Sequence, residues 1–184
     1  MKGVVIFAHG SGSSRFSPRN NFVAEVLRNN GLGTLLFDLM TEEEDAIYKN
    51  RFNIPMLAER LKLITDWFFR NFEDKNVGYF GSSTGAAAAL IAAGDMGNKI
   101  KAVVSRGGRP DLAMDVLENV KAPTLLIVGG ADYGVIELNE KAYKKLKSKK
   151  KLSIVPNATH LFEEPGALEE VADRAAEWFK NELL

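Results

Sequence analysis

The chain of 184 residues contains no cysteine. That excludes disulfide frameworks, thiolate-ligated zinc or iron–sulfur centres, and a cysteine nucleophile. It also suits a reducing cytoplasm, which is the expected location. Histidine is nearly as scarce. His9 and His160 are the only two, so any imidazole chemistry must run through one of them. There is no excess charge of either sign, because 24 Lys+Arg balance 24 Asp+Glu. This balance argues against nucleic acid or an anionic membrane as the main partner. No apolar run approaches the ~18 residues of a membrane span. Met1–His9 reads as a buried strand rather than a secretion leader, since no small-residue cleavage site follows it.

What is present fits a globular protein, with 46% hydrophobic and 26% charged residues. The length predicts one domain over residues 1–184. Short β-rich runs at Val4–Ala8, Thr34–Phe37, Val77–Phe80, Ala102–Val104, Thr124–Val128 and Leu152–Val155 alternate with helical stripes. The stripes are Phe22/Val23/Val26/Leu27, Leu57/Leu61/Ile64/Phe68, Val135/Leu138/Ala142/Leu146 and Leu168/Val171/Ala175/Trp178. The stretch Gly85–Ala93 is almost all alanine and reads as a slim helix able to lie close to a sheet. Such alternation predicts an α/β fold, a mostly parallel sheet of about six strands with helices on both faces. Ligands of such sheets bind beyond the carboxyl ends of the strands. The irregular stretches Gly10–Asn21 and Thr41–Pro55 follow the first two strands and should shape the pocket.

Gly81-Ser82-Ser83-Thr84-Gly85 fits G-x-S-x-G and lies directly between a strand and the alanine-rich helix. A sharp strand-to-helix turn there would expose the Ser83 hydroxyl at a helix N-terminus, where developing negative charge is favoured. The competing reading is a Gly/Ser-rich turn without chemistry. A serine needs a base, and His160, in the loop after the last strand, is the only histidine downstream. The imidazole in turn needs an acid. Asp132 follows the fifth strand and is the best-placed carboxylate, although Gly129–Gly134 also suits a turn or helix cap. Asp111 and Asp115 precede that strand and are weaker candidates. The order Ser83, Asp132, His160 is that of an α/β hydrolase. Oxyanion donors are expected from the backbone N–H of Thr84 and from the loop His9-Gly10-Ser11-Gly12, with Ser11 first and Gly12 second. His9 itself reads as a positioning residue for that loop.

These segments resemble the α/β-hydrolase superfamily in its compact dienelactone-hydrolase-like branch. More narrowly, they resemble the small hydrolase domains sometimes fused to phosphoribosyltransferases. Phe7–Arg15, Ser17–Asn20, Gly81–Ala87, Val104–Pro110 and Ala158–Gly166 carry the likeness, which runs over essentially the whole chain. The resemblance implies a triad of Ser83, Asp132 and His160. It also implies a minimal sheet without the antiparallel strands that usually precede the His-Gly strand. Dienelactone hydrolases proper use a cysteine nucleophile, so an ester or thioester is the expected substrate class here. The expected activity is that of a serine hydrolase on small carboxylic esters, needing no metal and no cofactor. The alternatives are a thioesterase or lactonase on the same triad, or a non-catalytic module of the same fold, as monomer or homodimer.

Arg106 and Arg109 flank Gly107-Gly108 after the fourth strand, and Arg15 and Arg19 follow the first. They are candidates for binding a carboxylate or phosphate on the substrate, with loop salt bridges as the alternative. The seven lysines of Lys141–Lys151 and the acidic run Glu42–Asp45 read as solvated surface. Trp67 and Trp178 lie on apolar stripes and read as core.

Overall fold

The computed structural model describes residues 1–184. Six strands, β1 Gly3–Ala8, β2 Gly33–Leu36, β3 Asn76–Ser82, β4 Ile100–Arg106, β5 Thr124–Gly129 and β6 Lys150–Val155, form one sheet in the order β2-β1-β3-β4-β5-β6. Every pairing is parallel, so the expected mostly parallel sheet is wholly parallel. Helices α1 Pro18–Asn29, α2 Glu42–Ala46, α3 Ile54–Asn71, α4 Thr84–Met96 and α5 Tyr133–Lys145 lie in crossovers between strands, and α6 Ala167–Leu183 follows the last strand. The segment Pro110–Asn119 winds as a 3₁₀ helix before β5.

Side chains alternate across each strand, and the core divides accordingly. On one face Val5, Phe7, Phe80, Ala102 and Val104 pack under α1 and α6. On the other, Ile6, Tyr79, Val103 and Leu126 pack under α3, α4 and α5. The alanines of α4 let it sink fully, with Ala86–Ala89, Ala92 and Ala93 all buried. Tyr79 is buried whole, and its hydroxyl meets Thr65 Oγ1 at 2.8 Å. Desolvation pushes that phenol well above its usual value.

Three surface expectations are corrected. Trp67 is 43% exposed, because its position on α3 sits beside the open edge of β2 instead of over the sheet. Lys150 and Lys151 belong to β6, the opposite edge strand. Lys150 Nζ donates to the carbonyls of Tyr143 and Leu146 at 2.7 Å, closing the end of α5. Lysine on an edge strand also discourages further strand pairing. Finally, the acidic run is not simply solvated. Thr41 and Glu44 form a reciprocal capping box that starts α2, Glu44 pairs with Arg60, and Asp45 pairs with Arg51.

Backbone approaches backbone very closely where α4 meets β1. A Cβ on Gly85 would lie 2.2 Å from the Ala8 carbonyl oxygen, and one on Gly81 would lie 2.4 Å from Ala86 Cα. Neither neighbour is a flexible side chain. Gly85→Ala should therefore cost about 3 kcal/mol. Gly134→Ala, in open space in the first turn of α5, should be neutral or stabilising by up to about 1 kcal/mol. Urea unfolding of the two variants checks the contrast; equal midpoints would show that the α4–β1 approach is soft.

Candidate active site

The turn between β3 and α4 holds Ser83 at φ 52°, ψ −121°, a conformation that a residue with a side chain rarely adopts. It is held from both sides. Ser83 N–H donates to Arg106 O on β4 at 3.2 Å, and Ser83 C=O accepts from Arg109 N–H at 3.1 Å. Ser83 is the N-cap of α4, yet its side chain makes no capping bond. Serine in that position normally spends its oxygen on the helix; here the hydroxyl stays free. Thr84 is the first residue of the helix, where a backbone N–H has no intrahelical acceptor.

Asp132 shows the same economy. It is the N-cap of α5, so the cap anticipated as an alternative is there by position, but its carboxylate makes no capping bond. It bonds His160 Nδ1 at 2.7 Å instead. That fixes the imidazole with Nδ1 as donor and leaves Nε2 to act as base. The His160 loop is strapped by Glu164, which accepts from both the N–H and the hydroxyl of Thr159. The Thr159 hydroxyl holds this carboxyl below the usual carboxylate range. Nothing in the sequence singled out Glu164. His160 packs against Gly107, the residue after Arg106, whose carbonyl holds Ser83 N–H; a Cβ on Gly107 would lie 3.5 Å from His160 Cε1. The structure brings no hydrogen bond between Ser83 Oγ and the imidazole. Asp111, the weaker acid candidate, is taken up by Arg109.

The loop after β1 packs directly on the Ser83 turn. A Cβ on Gly10 would lie 3.2 Å from Ser82 O and 3.3 Å from Ser83 Cβ. His9 is buried and spans two loops. Its Nε2 accepts from Leu39 N–H at 3.0 Å, which makes Nδ1 the donor to Gly10 O at 2.9 Å. Gly10 O also accepts from Ser13 N–H at 3.2 Å. A peptide is planar and trans, so a carbonyl pinned twice turns the N–H of the next residue the opposite way. That N–H belongs to Ser11, which makes no protein hydrogen bond. Gly12 follows at φ 69°, under the Arg51 guanidinium. Arg15 ties the same loop to Asp38 through its backbone N–H, at 2.7 Å, and through its guanidinium. A cavity of about 350 Å³ opens between the two loops, lined by His9, Ser14, Arg15, Asp38, Met40 and Thr41 among others.

The arginines after β4, grouped together in the sequence, part company. Arg109 forms a fork-to-fork pair with Asp111, both bonds 2.9 Å. Arg106 lies on the face that holds Ala102 and Val104, the side of the sheet covered by α1 and α6, and is 8% exposed. Its Nε and Nη1 are buried without a partner. Burial, and then the neighbouring charge of Arg19, push it down to about 10, still protonated at neutral pH. Arg19 reaches Glu163 at 3.7 Å on the surface.

A wholly parallel sheet, a left-handed serine on the strand-to-helix turn and an Asp–His pair after the last two strands define the α/β-hydrolase fold. Within it the chain belongs to the dienelactone hydrolase family, whose model matches residues 2–183. The crystal structure of a dienelactone hydrolase from Anabaena variabilis is 56% identical and superposes with a TM-score of 0.96, covering 100% of this chain and 88% of that one. Two Mycobacterium tuberculosis proteins named phosphoribosyl transferases are 56% identical over 184 residues; the match takes 99% of this chain but 42% of theirs. Est1E from Butyrivibrio proteoclasticus, 17% identical, shares the fold with a TM-score of 0.83 over 98% of this chain and 88% of that one.

Both imidazoles should carry their proton on Nδ1, His9 toward Gly10 and His160 toward Asp132. Nitrogen-15 shifts of the histidines check this. A His9 protonated on Nε2 would contradict the Leu39 contact, and the Nδ1–H signal of His160 should lose its downfield position in Asp132→Ala.

Proposed function

We propose that the chain is a serine hydrolase of small carboxylic esters. The observation that carries this reading is the Ser83 hydroxyl, held at φ 52° on the turn and free of capping, at the same sheet edge as the hydrogen-bonded Asp132–His160 pair. In this mechanism Ser83 Oγ attacks the ester carbonyl carbon while His160 Nε2 takes its proton. The carbonyl oxygen becomes an oxyanion held by the N–H groups of Thr84 and Ser11. Collapse expels the alcohol, which leaves with the proton from His160. Water, deprotonated by the same nitrogen, then attacks the acyl-enzyme, and carboxylic acid departs as Ser83 regains its proton. Asp132 keeps its charge throughout and stabilises the imidazolium.

The chemistry asks little of the rest of the molecule. Backbone donors fixed before the reaction need no reorganisation as charge develops, and removing one such donor elsewhere costs about 10²–10³ in kcat. Thioesters and lactones present the same carbonyl to the same groups, and membership of the dienelactone hydrolase family favours including lactones among the substrates tested. The transferase name belongs to relatives of which this chain spans 42%. The hydrolase reading rests on residues of this chain alone.

Hydrolysis of p-nitrophenyl acetate, butyrate and octanoate is the test. Ser83→Ala should lose nearly all turnover, on the order of 10⁶ in kcat for a triad serine, with circular dichroism unchanged. His9→Ala should lower kcat by about 10–100-fold, because it frees the Gly10–Ser11 peptide instead of deleting a donor outright. Equal rates for wild type and Ser83→Ala would overturn the assignment.

A further inference from the structure

Arg106 poses a question that the ester mechanism leaves unanswered. A guanidinium stays charged at neutral pH, and a buried charge without a partner is strongly unfavourable. Here no acidic side chain offsets it. The fourth strand points Arg106 at the face beneath α1, alongside Ser82, its register partner on β3. Ser82 Oγ in turn touches Asn20 of α1's first turn at 3.4 Å. That turn contains no acidic residue and holds a second cation, Arg19. The positive end of the helix, Arg19 and Arg106 therefore converge with like sign. Glu163, the carboxylate that reaches Arg19, is 67% exposed and makes no pair with Arg106. By contrast, Arg15, Arg51, Arg60, Arg109 and Arg174 all have carboxylate partners. The backbone of Arg106 holds Ser83 N–H, and its neighbour Gly107 packs against His160.

We propose that Arg106, assisted by Arg19 and the start of α1, forms a subsite beside the triad for a small oxyanion, a carboxylate or phosphate group. The planar fork of arginine matches two oxygens of such a group. The group comes either from an acid arm of the ester or from a free anion bound next to it. The first source rests on the serine hydrolase reading; the second does not.

Two measurements test it, and only one needs turnover. Thermal melting of the whole chain, and of Ser83→Ala, is followed in sodium phosphate against sodium chloride at matched ionic strength. Wild type should show a saturable rise in Tm with phosphate, absent in Arg106→Gln and weakened several-fold in Arg19→Gln. The kinetic arm compares kcat/KM for p-nitrophenyl hemiglutarate and p-nitrophenyl butyrate. If the anion belongs to the substrate, the acid-to-neutral ratio should fall by about 10–100-fold in Arg106→Gln, the range for losing a charge-assisted hydrogen bond. A phosphate response with an unchanged ratio supports the site and assigns it to a free anion. Arg19→Gln, on an exposed helix start, serves where Arg106→Gln does not fold. Absence of both responses in wild type, or their persistence unchanged in the arginine variants, overturns the proposal. Failure of all ester turnover with a retained phosphate response would sink the hydrolase reading and leave the subsite standing.

Discussion

The contact on which the site depends is between backbones. Helix α4 lies so close to the end of β1 that only a hydrogen atom fits between Gly85 Cα and the carbonyls of Ala8 and His9. This approach forces the chain to turn sharply as β3 ends, and the turn places Ser83 in the left-handed region. The same approach lays Gly10 against Ser82 and Ser83, so the serine turn and the loop after β1 are positioned together. A sheet of parallel strands brings carboxyl ends together as a matter of topology. The glycines convert that general convergence into contact at atomic range.

Several side chains are withheld from the local duties their positions invite. Ser83 and Asp132 both occupy helix N-caps, and neither caps. Each forgone cap costs about 1 kcal/mol of helix stability. The remaining burial is ample to cover it, with two clusters of 27 and 21 apolar residues on the two sheet faces. Arg106 extends the pattern to charge. Six other arginines, Arg15, Arg19, Arg51, Arg60, Arg109 and Arg174, reach carboxylates, whereas at the carboxyl edge of β4 a cation is enclosed without one. Polar groups left unspent by the fold gather at this single edge.

Much of this was legible in the residues. Strand–helix alternation and the alanine-rich helix gave the topology, because crossover handedness and parallel pairing leave few arrangements. The Asp132–His160 pair and the Ser83 turn were legible because a chain with two histidines offers few combinations, and the glycine spacing around Ser83 suits a sharp strand-to-helix turn. The rest depended on three-dimensional neighbours. Trp67 lies on an apolar stripe, yet the stripe extends past the sheet edge. The lysine run crosses from helix to strand at a point that charge alone does not mark. Glu164 and Leu39 contribute through a loop strap and a backbone N–H, neither of which has a residue-type signature. Arg106 and Arg109 look equivalent until Asp111 claims one of them.

The two bonds of His9 have an evolutionary consequence. Leu39 N–H is the last point at which the second loop is tied to the imidazole, and the segment from Thr41 onward lies beyond it. Length and composition can therefore drift in that segment, reshaping the mouth of the pocket, while the Gly10–Ser11 peptide keeps its aim. A scaffold built this way can exchange part of one loop while the neighbouring loop keeps its geometry.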